Sequence, residues 1–310
     1  MNFLKKRYGQ ITIAVLGVTM GIHIFMCSII TGGFETKLIY YPIDREIRNI
    51  WIDIDEKVQD TYFFSRDGVK LNGWYVKAKS DKPTIIYCHG QGENISFWQN
   101  VIKFLADKGY GIFLLDYRGH GKSEGKPYES GLYLDLEASV KYLKIYENVS
   151  EDNIILWGRS LGGAVVTDIA SRNNFKAVIL ESTFTNIRKE ALHLTETGIL
   201  EGKFGFWSKL SSFFVKYIPL TQKFSSDKKI HRIKSPLLIG HSLHDVTVPV
   251  EMSYKLKSLN SSAKLFISDK GSHHENDWFF PEVLNFLESL NTPVKPNPVS
   301  NSELSANKHV

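Results

Sequence analysis

A serine between small residues, a later carboxylate and a pair of histidines are the residues of this 310-residue chain best suited to do chemistry together. Ser160 stands in Gly158-Arg159-Ser160-Leu161-Gly162-Gly163. A serine hydroxyl is a poor nucleophile until a base takes its proton, and that base must be oriented by a carboxylate. Asp245 lies in the loop His241-Ser242-Leu243-His244-Asp245-Val246-Thr247-Val248-Pro249, and His273 and His274 follow Gly271 in a second loop. Each of these groups comes directly after an apolar run of strand type. Taken singly, Asp245 could cap the helix beginning near Pro249, and loop histidines are commonly solvated. Three groups in the order Ser, Asp, His rarely coincide in such positions. Either histidine could be the base, and Glu181, after the run that follows the serine, is a reserve carboxylate. The chemistry would be acyl transfer, with Ser160 attacking a carbonyl carbon.

That reaction also needs two donors for the oxyanion of its tetrahedral intermediate. One is the backbone N–H of Leu161, at a helix N-terminus. The other belongs in His89-Gly90-Gln91-Gly92, where small residues let backbone approach the serine, and the N–H of Gln91 is the best candidate.

Ser160 must sit where a strand turns sharply into a helix. Asn153-Ile154-Ile155-Leu156-Trp157 before it reads as a strand, and Leu161 to Ser171 after it as a helix. Elsewhere, Thr61 to Ser65 and Leu71 to Val76 flank Arg66-Asp67-Gly68 as an antiparallel hairpin. Strands are expected at Thr84 to Cys88, Gly111 to Asp116, Ala177 to Leu180, Leu237 to Gly240 and Leu265 to Ser268. Helices are expected near Phe97 to Lys108, Tyr133 to Ile145, Glu251 to Leu259 and Glu282 to Leu290. This alternation predicts a mostly parallel sheet covered by helices. About fifty residues between Glu181 and Pro236 interrupt it, too many for a plain loop, and read as an active-site lid.

Ile11 to Ile30 carries no formal charge over 20 residues, long enough to cross about 30 Å of hydrocarbon, and reads as a transmembrane segment. Lys5, Lys6 and Arg7 before it place the N-terminus in the cytoplasm, with the bulk of the chain on the far side. A cleaved signal peptide is the competing reading, with Thr31-Gly32-Gly33 near the cut, but its apolar core should be shorter. Of the two cysteines, Cys27 lies in this run, leaving Cys88 alone in the folded part and no internal disulfide. Paired cysteines and histidines at zinc-ligand spacing are absent, so no metal site is expected. The stretch after Asn291, rich in Pro, Asn and Ser, reads as a disordered tail.

Four segments together resemble a known family. His89-Gly90-Gln91-Gly92, Asp116-Tyr117-Arg118-Gly119-His120-Gly121-Lys122-Ser123-Glu124-Gly125, the Ser160 segment, and Asp245-Val246-Thr247-Val248-Pro249 are similar, in order, to motifs of the α/β-hydrolases. The nearest branch is the membrane-anchored one related to the yeast bud-emergence hydrolases and the animal α/β-hydrolase-domain proteins. Its core is serine-aminopeptidase-like or monoacylglycerol-lipase-like. Lys37-Leu38-Ile39-Tyr40-Tyr41-Pro42 also resembles that branch. The resemblance implies an α/β-hydrolase fold: an eight-stranded, mostly parallel sheet flanked by helices, with a helical lid and one N-terminal transmembrane helix. The division would be an anchor over 1–33, a catalytic domain over 34–290 with the lid at about 183–230, and a tail over 291–310. It implies catalysis by Ser160 and Asp245 without a cofactor. The family's spacing from the last loop's glycine favours His274 as the base, with His273 in reserve. Asp116 and Arg118 would brace the loop near the active site.

Within the insertion, Phe206, Trp207, Leu210, Phe213, Phe214 and Tyr217 recur at helical spacing. From Lys203 to Lys234, eight lysines and arginines face Asp227 alone, a local +7 in a chain of net charge +5. Such a basic aromatic lid suits an acyl pocket beside anionic lipid, although the stripe could equally cover the core with its lysines in water. Nothing beyond the charge speaks for nucleic acid. The expectation is a membrane-anchored serine hydrolase, its domain periplasmic or otherwise extracytoplasmic, acting on an acyl ester or thioester. An amide-cleaving aminopeptidase and a non-catalytic binding protein on the same fold are the alternatives.

Overall fold

The computed structural model describes residues 17–19, 35–36, 39–40, 57–197, 215–216 and 220–290. The anchor segment, the aromatic stripe from Phe206 to Tyr217 and the tail after Asn291 lie outside the described residues, apart from 17–19 and 215–216. Among the described residues no helix is long and apolar enough to cross a membrane.

The strands are β1 (Gln59–Phe64), β2 (Lys70–Val76), β3 (Thr84–Cys88), β4 (Gly111–Asp116), β5 (Ile154–Arg159), β6 (Ala177–Glu181), β7 (Leu237–Ser242) and β8 (Lys264–Ser268). They form one sheet in the order β1-β2-β4-β3-β5-β6-β7-β8. β1 pairs with β2, and β2 with β4, antiparallel; every other pairing is parallel. The expected hairpin is therefore the antiparallel edge of an otherwise parallel sheet. β3 to β7 are buried at every residue, as strands covered on both faces must be, and their sequences are accordingly runs of Ile, Leu and Val. β1 alternates exposed and buried positions along its second half, the pattern of an edge strand.

The covering helices are α1 (Gln99–Ala106), α2 (Glu129–Tyr146), α3 (Leu161–Ala170), α4 (Ile187–Glu196), α5 (Glu251–Leu259) and α6 (Phe280–Ser289). Alternation along each strand divides the core in two. Ile86 and Leu156 pack with Leu132 and Leu136 of α2 and Val165 of α3, whereas Ile85 and Trp157 pack with Ile102 and Leu105 of α1 and Phe286 of α6. α4 is the one helix not expected individually. Asn186 starts it, its side-chain oxygen accepting the Lys189 N–H at 3.1 Å.

The Asp116 to Gly125 run is a structural brace. Arg118, only 1% exposed, donates to Asp135 through Nε and Nη2 at 2.9 and 2.8 Å and to Asp67 through Nη1 at 2.7 Å. Asp116 Oδ1 accepts the Ile95 N–H at 2.9 Å, tying the end of β4 to the segment after β3. The Asp116 bond steadies the loop that leaves β3 toward Ser160, while Arg118 fastens the segment after β4 to the β1–β2 turn and to α2.

Candidate active site

Ser160 occupies the single residue between β5 and α3, with φ +51° and ψ −118°. A non-glycine residue there carries about 1–3 kcal/mol of strain, so its surroundings must hold it. Its N–H donates to the Glu181 carbonyl at 2.9 Å, and its carbonyl accepts from Thr183 Oγ1 at 2.7 Å and the Gly163 N–H at 3.0 Å. The small neighbours are required by contact rather than by conformation. A Cβ on Gly158 would lie 2.4 Å from the Gly162 carbonyl oxygen, and one on Gly162 would lie 2.0 Å from the Cys88 carbonyl oxygen. Strand β5, helix α3 and the end of β3 thus meet backbone to backbone, leaving the serine side chain at the carboxyl end of the sheet and 7% exposed.

Asp245 follows β7 and Oδ1 accepts the N–H groups of Thr247 and Val248 at 3.0 and 2.8 Å. These bonds close a turn ahead of α5 and do not cap that helix, whose N-cap is Val250 and which no side chain caps. The other Asp245 oxygen has a different use: Oδ2 accepts from His273 Nδ1 at 2.8 Å. The pairing differs from the expected preference for His274: His273 is buried against Asp245, whereas His274 is exposed. The reason lies in the loop. Gly271, at φ +76°, accepts from Ser242 Oγ at 2.8 Å, and this bond draws the start of the loop onto the strand end that leads to Asp245. Adjacent side chains on the turn cannot both reach one carboxylate, and the first of the pair takes it.

His241, unmarked by any motif, is a second histidine on Asp245. Its Nε2 donates to the Val248 carbonyl at 2.9 Å and lies 3.3 Å from Asp245 Oδ2, while Nδ1 faces Ser253 Oγ at 2.6 Å. Burial by itself would raise the Asp245 carboxyl, but the hydrogen bonds from His241 and His273 outweigh it and hold the group well below the usual carboxylate range. For His273 burial lowers the pKa most, the Asp245 bond opposes this, and the Arg159 guanidinium pushes it further down. The ring is therefore neutral at neutral pH, with its hydrogen on Nδ1 and a lone pair on Nε2. Among the described residues no hydrogen bond joins the Ser160 hydroxyl to His273, a link that is often long before substrate arrives.

Glu181, the reserve carboxylate, is engaged elsewhere. It is fully buried, accepts from Trp157 Nε1 at 2.9 Å and lies 3.4 Å from Arg159 Nε. Burial pushes it up to about 7 against the pull of Arg159 and Trp157. On the opposite side of Ser160, Gly90 comes so close that a Cβ there would lie 3.3 Å from Ser160 Cβ. The Gly90 N–H donates to Glu93 Oε2 at 2.9 Å, and the next amide along the loop is that of Gln91, the candidate donor expected from the sequence. Leu161 is the first residue of α3, where a helical N–H has no intrahelical acceptor.

This arrangement has counterparts in known proteins. A family model described as Hydrolase_4, serine aminopeptidase, S33, matches residues 79–222. The Pyrococcus furiosus esterase Pf2001 superposes with a TM-score of 0.65 at 28% identity, over 80% of this chain and 97% of the other. The chain is an α/β-hydrolase. Among its relatives, the lysophosphatidylserine lipase ABHD12 of Danio rerio is 34% identical over 70% of this chain and 60% of that protein. Protein bem46 of Schizosaccharomyces pombe is 29% identical over 74% of this chain and 77% of that protein. The α/β-hydrolase fold, with its eight-stranded, mostly parallel sheet, accords with this kinship.

Proposed function

We infer that the chain hydrolyses a carboxylic ester or thioester carrying an acyl group, by way of an acyl-enzyme on Ser160. The observation that carries this reading is the strained Ser160 at the sheet's carboxyl end together with the buried His273–Asp245 pair on the loops of the same end. His273 Nε2 takes the hydroxyl proton as Oγ attacks the carbonyl carbon, and Asp245 stabilises the resulting imidazolium. The N–H groups of Leu161 and Gln91 receive the oxyanion. His273 then gives its proton to the departing alcohol or thiol, and a water activated by the same ring releases the acid. His274 has no part in these steps.

An acyl-lipid or acylated protein is the substrate class favoured by the lipase and esterase relatives. The apolar run at 11–30, preceded by Lys5, Lys6 and Arg7, would hold the domain on the extracytoplasmic face of a membrane. The basic aromatic insertion would add contact with anionic lipid. A second reading, a peptidase that cleaves amides, draws on the family model's description.

A fluorophosphonate probe tests the first reading: wild-type protein is expected to be labelled and Ser160→Ala is not. Activity on an ester, thioester and amide panel should fall by several orders of magnitude in the variant, on the order of 10⁶ in kcat for a lost nucleophile. Label independent of Ser160 would end the reading, and turnover confined to amides would favour the peptidase. Protease digestion of sealed vesicles checks the topology, which fails if the domain is cut only from the cytoplasmic face.

A further inference from the structure

Glu93 lies three residues beyond Gly90, in the loop between β3 and α1, and no part of the acyl-transfer scheme uses it. It nevertheless joins both halves of the candidate oxyanion hole. Oε2 accepts two hydrogen bonds, from the Gly90 N–H at 2.9 Å and from Trp98 Nε1 at 3.1 Å. Oε1 accepts from Arg159 Nη1 at 3.1 Å. Arg159 is the residue immediately before the nucleophile, 1% exposed, with its guanidinium 4.6 Å above the Trp98 ring and its Nε 3.4 Å from Glu181. One carboxylate therefore connects the loop bearing Gln91 to the strand end bearing Ser160 and Leu161.

We propose that Glu93 is a positioning residue that fixes the separation of the Gln91 and Leu161 amides, and with it the shape of the oxyanion hole, by bridging Gly90 to Arg159. The inference rests on the acyl-transfer reading of Ser160. Its physical basis is the geometry of the bridge. Charge-assisted hydrogen bonds to both Arg159 and the loop backbone are stronger than neutral ones, and they act where a Cβ on Gly90 would nearly touch Ser160. Without the bridge the β3–α1 loop keeps its attachment through Asp116 and Ile95 and the stacking of Trp98 under Arg159, but the Gly90 amide loses its hydrogen-bonded link to Arg159. A donor displaced by even about 1 Å loses much of its effect on a developing charge, on the order of 10²-fold in rate.

Glu93→Gln is nearly isosteric and can satisfy only one side. Its amide oxygen can accept from Gly90 and Trp98, but its NH₂ then faces the Arg159 donors. Glu93→Asp keeps the charge and withdraws it by one methylene. Both variants are compared with wild type for hydrolysis of a p-nitrophenyl ester and for inhibition by a boronic acid, which binds as a tetrahedral adduct.

The expected result is a kcat about 10- to 100-fold lower in Glu93→Gln, with KM within about threefold, and boronate affinity falling in parallel with kcat. Glu93→Asp should recover part of both losses. The proposal is overturned if Glu93→Gln keeps kcat within about threefold of wild type, or if KM alone changes, or if kcat falls while boronate affinity does not. Thermal unfolding of each variant identifies a collapsed fold, and loss of activity that accompanies unfolding at the assay temperature in both variants also overturns the positioning role. A wild-type protein without Ser160-dependent fluorophosphonate label would sink the hydrolase reading and this inference together, whereas a labelled wild type confines any failure to Glu93.

Discussion

Two adjacent histidines in this chain have sharply different circumstances. His273 is buried on Asp245, and His274 is exposed beside it with the two rings edge to face, centroids 5.6 Å apart. If His273 is the base, His273→Ala should lower kcat by at least about 10⁴-fold and His274→Ala by no more than a few-fold, measured on the same ester. Equal losses in the two variants would overturn the assignment. Activity requires the neutral ring, and the His273 pKa is lowered, so the acid limb of kcat/KM should have its midpoint below 6.5. A midpoint above that value would mean that the Asp245 bond outweighs burial. The sequence placed two histidines in one loop, and the family spacing from Gly271 favoured His274, whereas it is His273 that meets Asp245. That choice depends on the Ser242 to Gly271 hydrogen bond, between residues 29 apart in the chain.

At the scale of elements, the decisive piece is the β5–Ser160–α3 turn packed on the end of β3. Its glycines leave room for backbone only. Gly162→Ala would drive a methyl into the Cys88 carbonyl, and neither the strand nor the helix can withdraw without moving its neighbours. Destabilisation of about 1–3 kcal/mol or more is expected, read as a lower urea midpoint with an unchanged m-value. An unaltered midpoint would show that the contact relaxes freely. The strand and helix on each side of Ser160 were legible from apolar runs, as were the remaining strands. Helix α4 was not, because six of the ten residues in Ile-Arg-Lys-Glu-Ala-Leu-His-Leu-Thr-Glu are polar and it begins inside the long insertion.

Across the whole molecule, buried ionisable groups away from Ser160 shape the response to pH. His120 is fully buried near His89, and burial first, then repulsion from His89, lowers it to about 4. The folded protein therefore refuses a proton that the unfolded chain accepts below about 6.5. The stability this represents is complete above pH 6.5 and is lost as pH falls toward 4, up to about 3 kcal/mol. Glu181, raised to about 7, acts with the opposite sign between about 4.5 and 7, so the test is a comparison in which its contribution cancels. Urea denaturation of wild type and His120→Asn across pH 4 to 7 should show a shallower acid decline in the variant. Parallel curves would remove His120 as the cause. The molecule is also tied from its N-terminal side: Glu35 accepts from the Gln222 N–H at 2.7 Å and from Thr221 Oγ1 at 2.7 Å, joining the segment before β1 to the end of the insertion.

Local sequence by itself determined which residues could be nucleophile and carboxylate. A strained serine between a strand and a helix demands glycines at fixed neighbours, and the α/β-hydrolase arrangement sets the candidate carboxylate just after a strand, so both leave a short-range signature at Ser160 and Asp245. The same holds for the parallel sheet, since strands covered on both faces must be uninterrupted apolar runs. Only tertiary structure decided which histidine meets Asp245, that His241 is a second partner of that carboxylate, that Glu181 pairs with Arg159, and that Glu93 links the β3 loop to the residue before Ser160. Those are contacts between segments distant in the chain, set by where the loops close at the carboxyl end of the sheet, and no local spacing encodes a distance across that end.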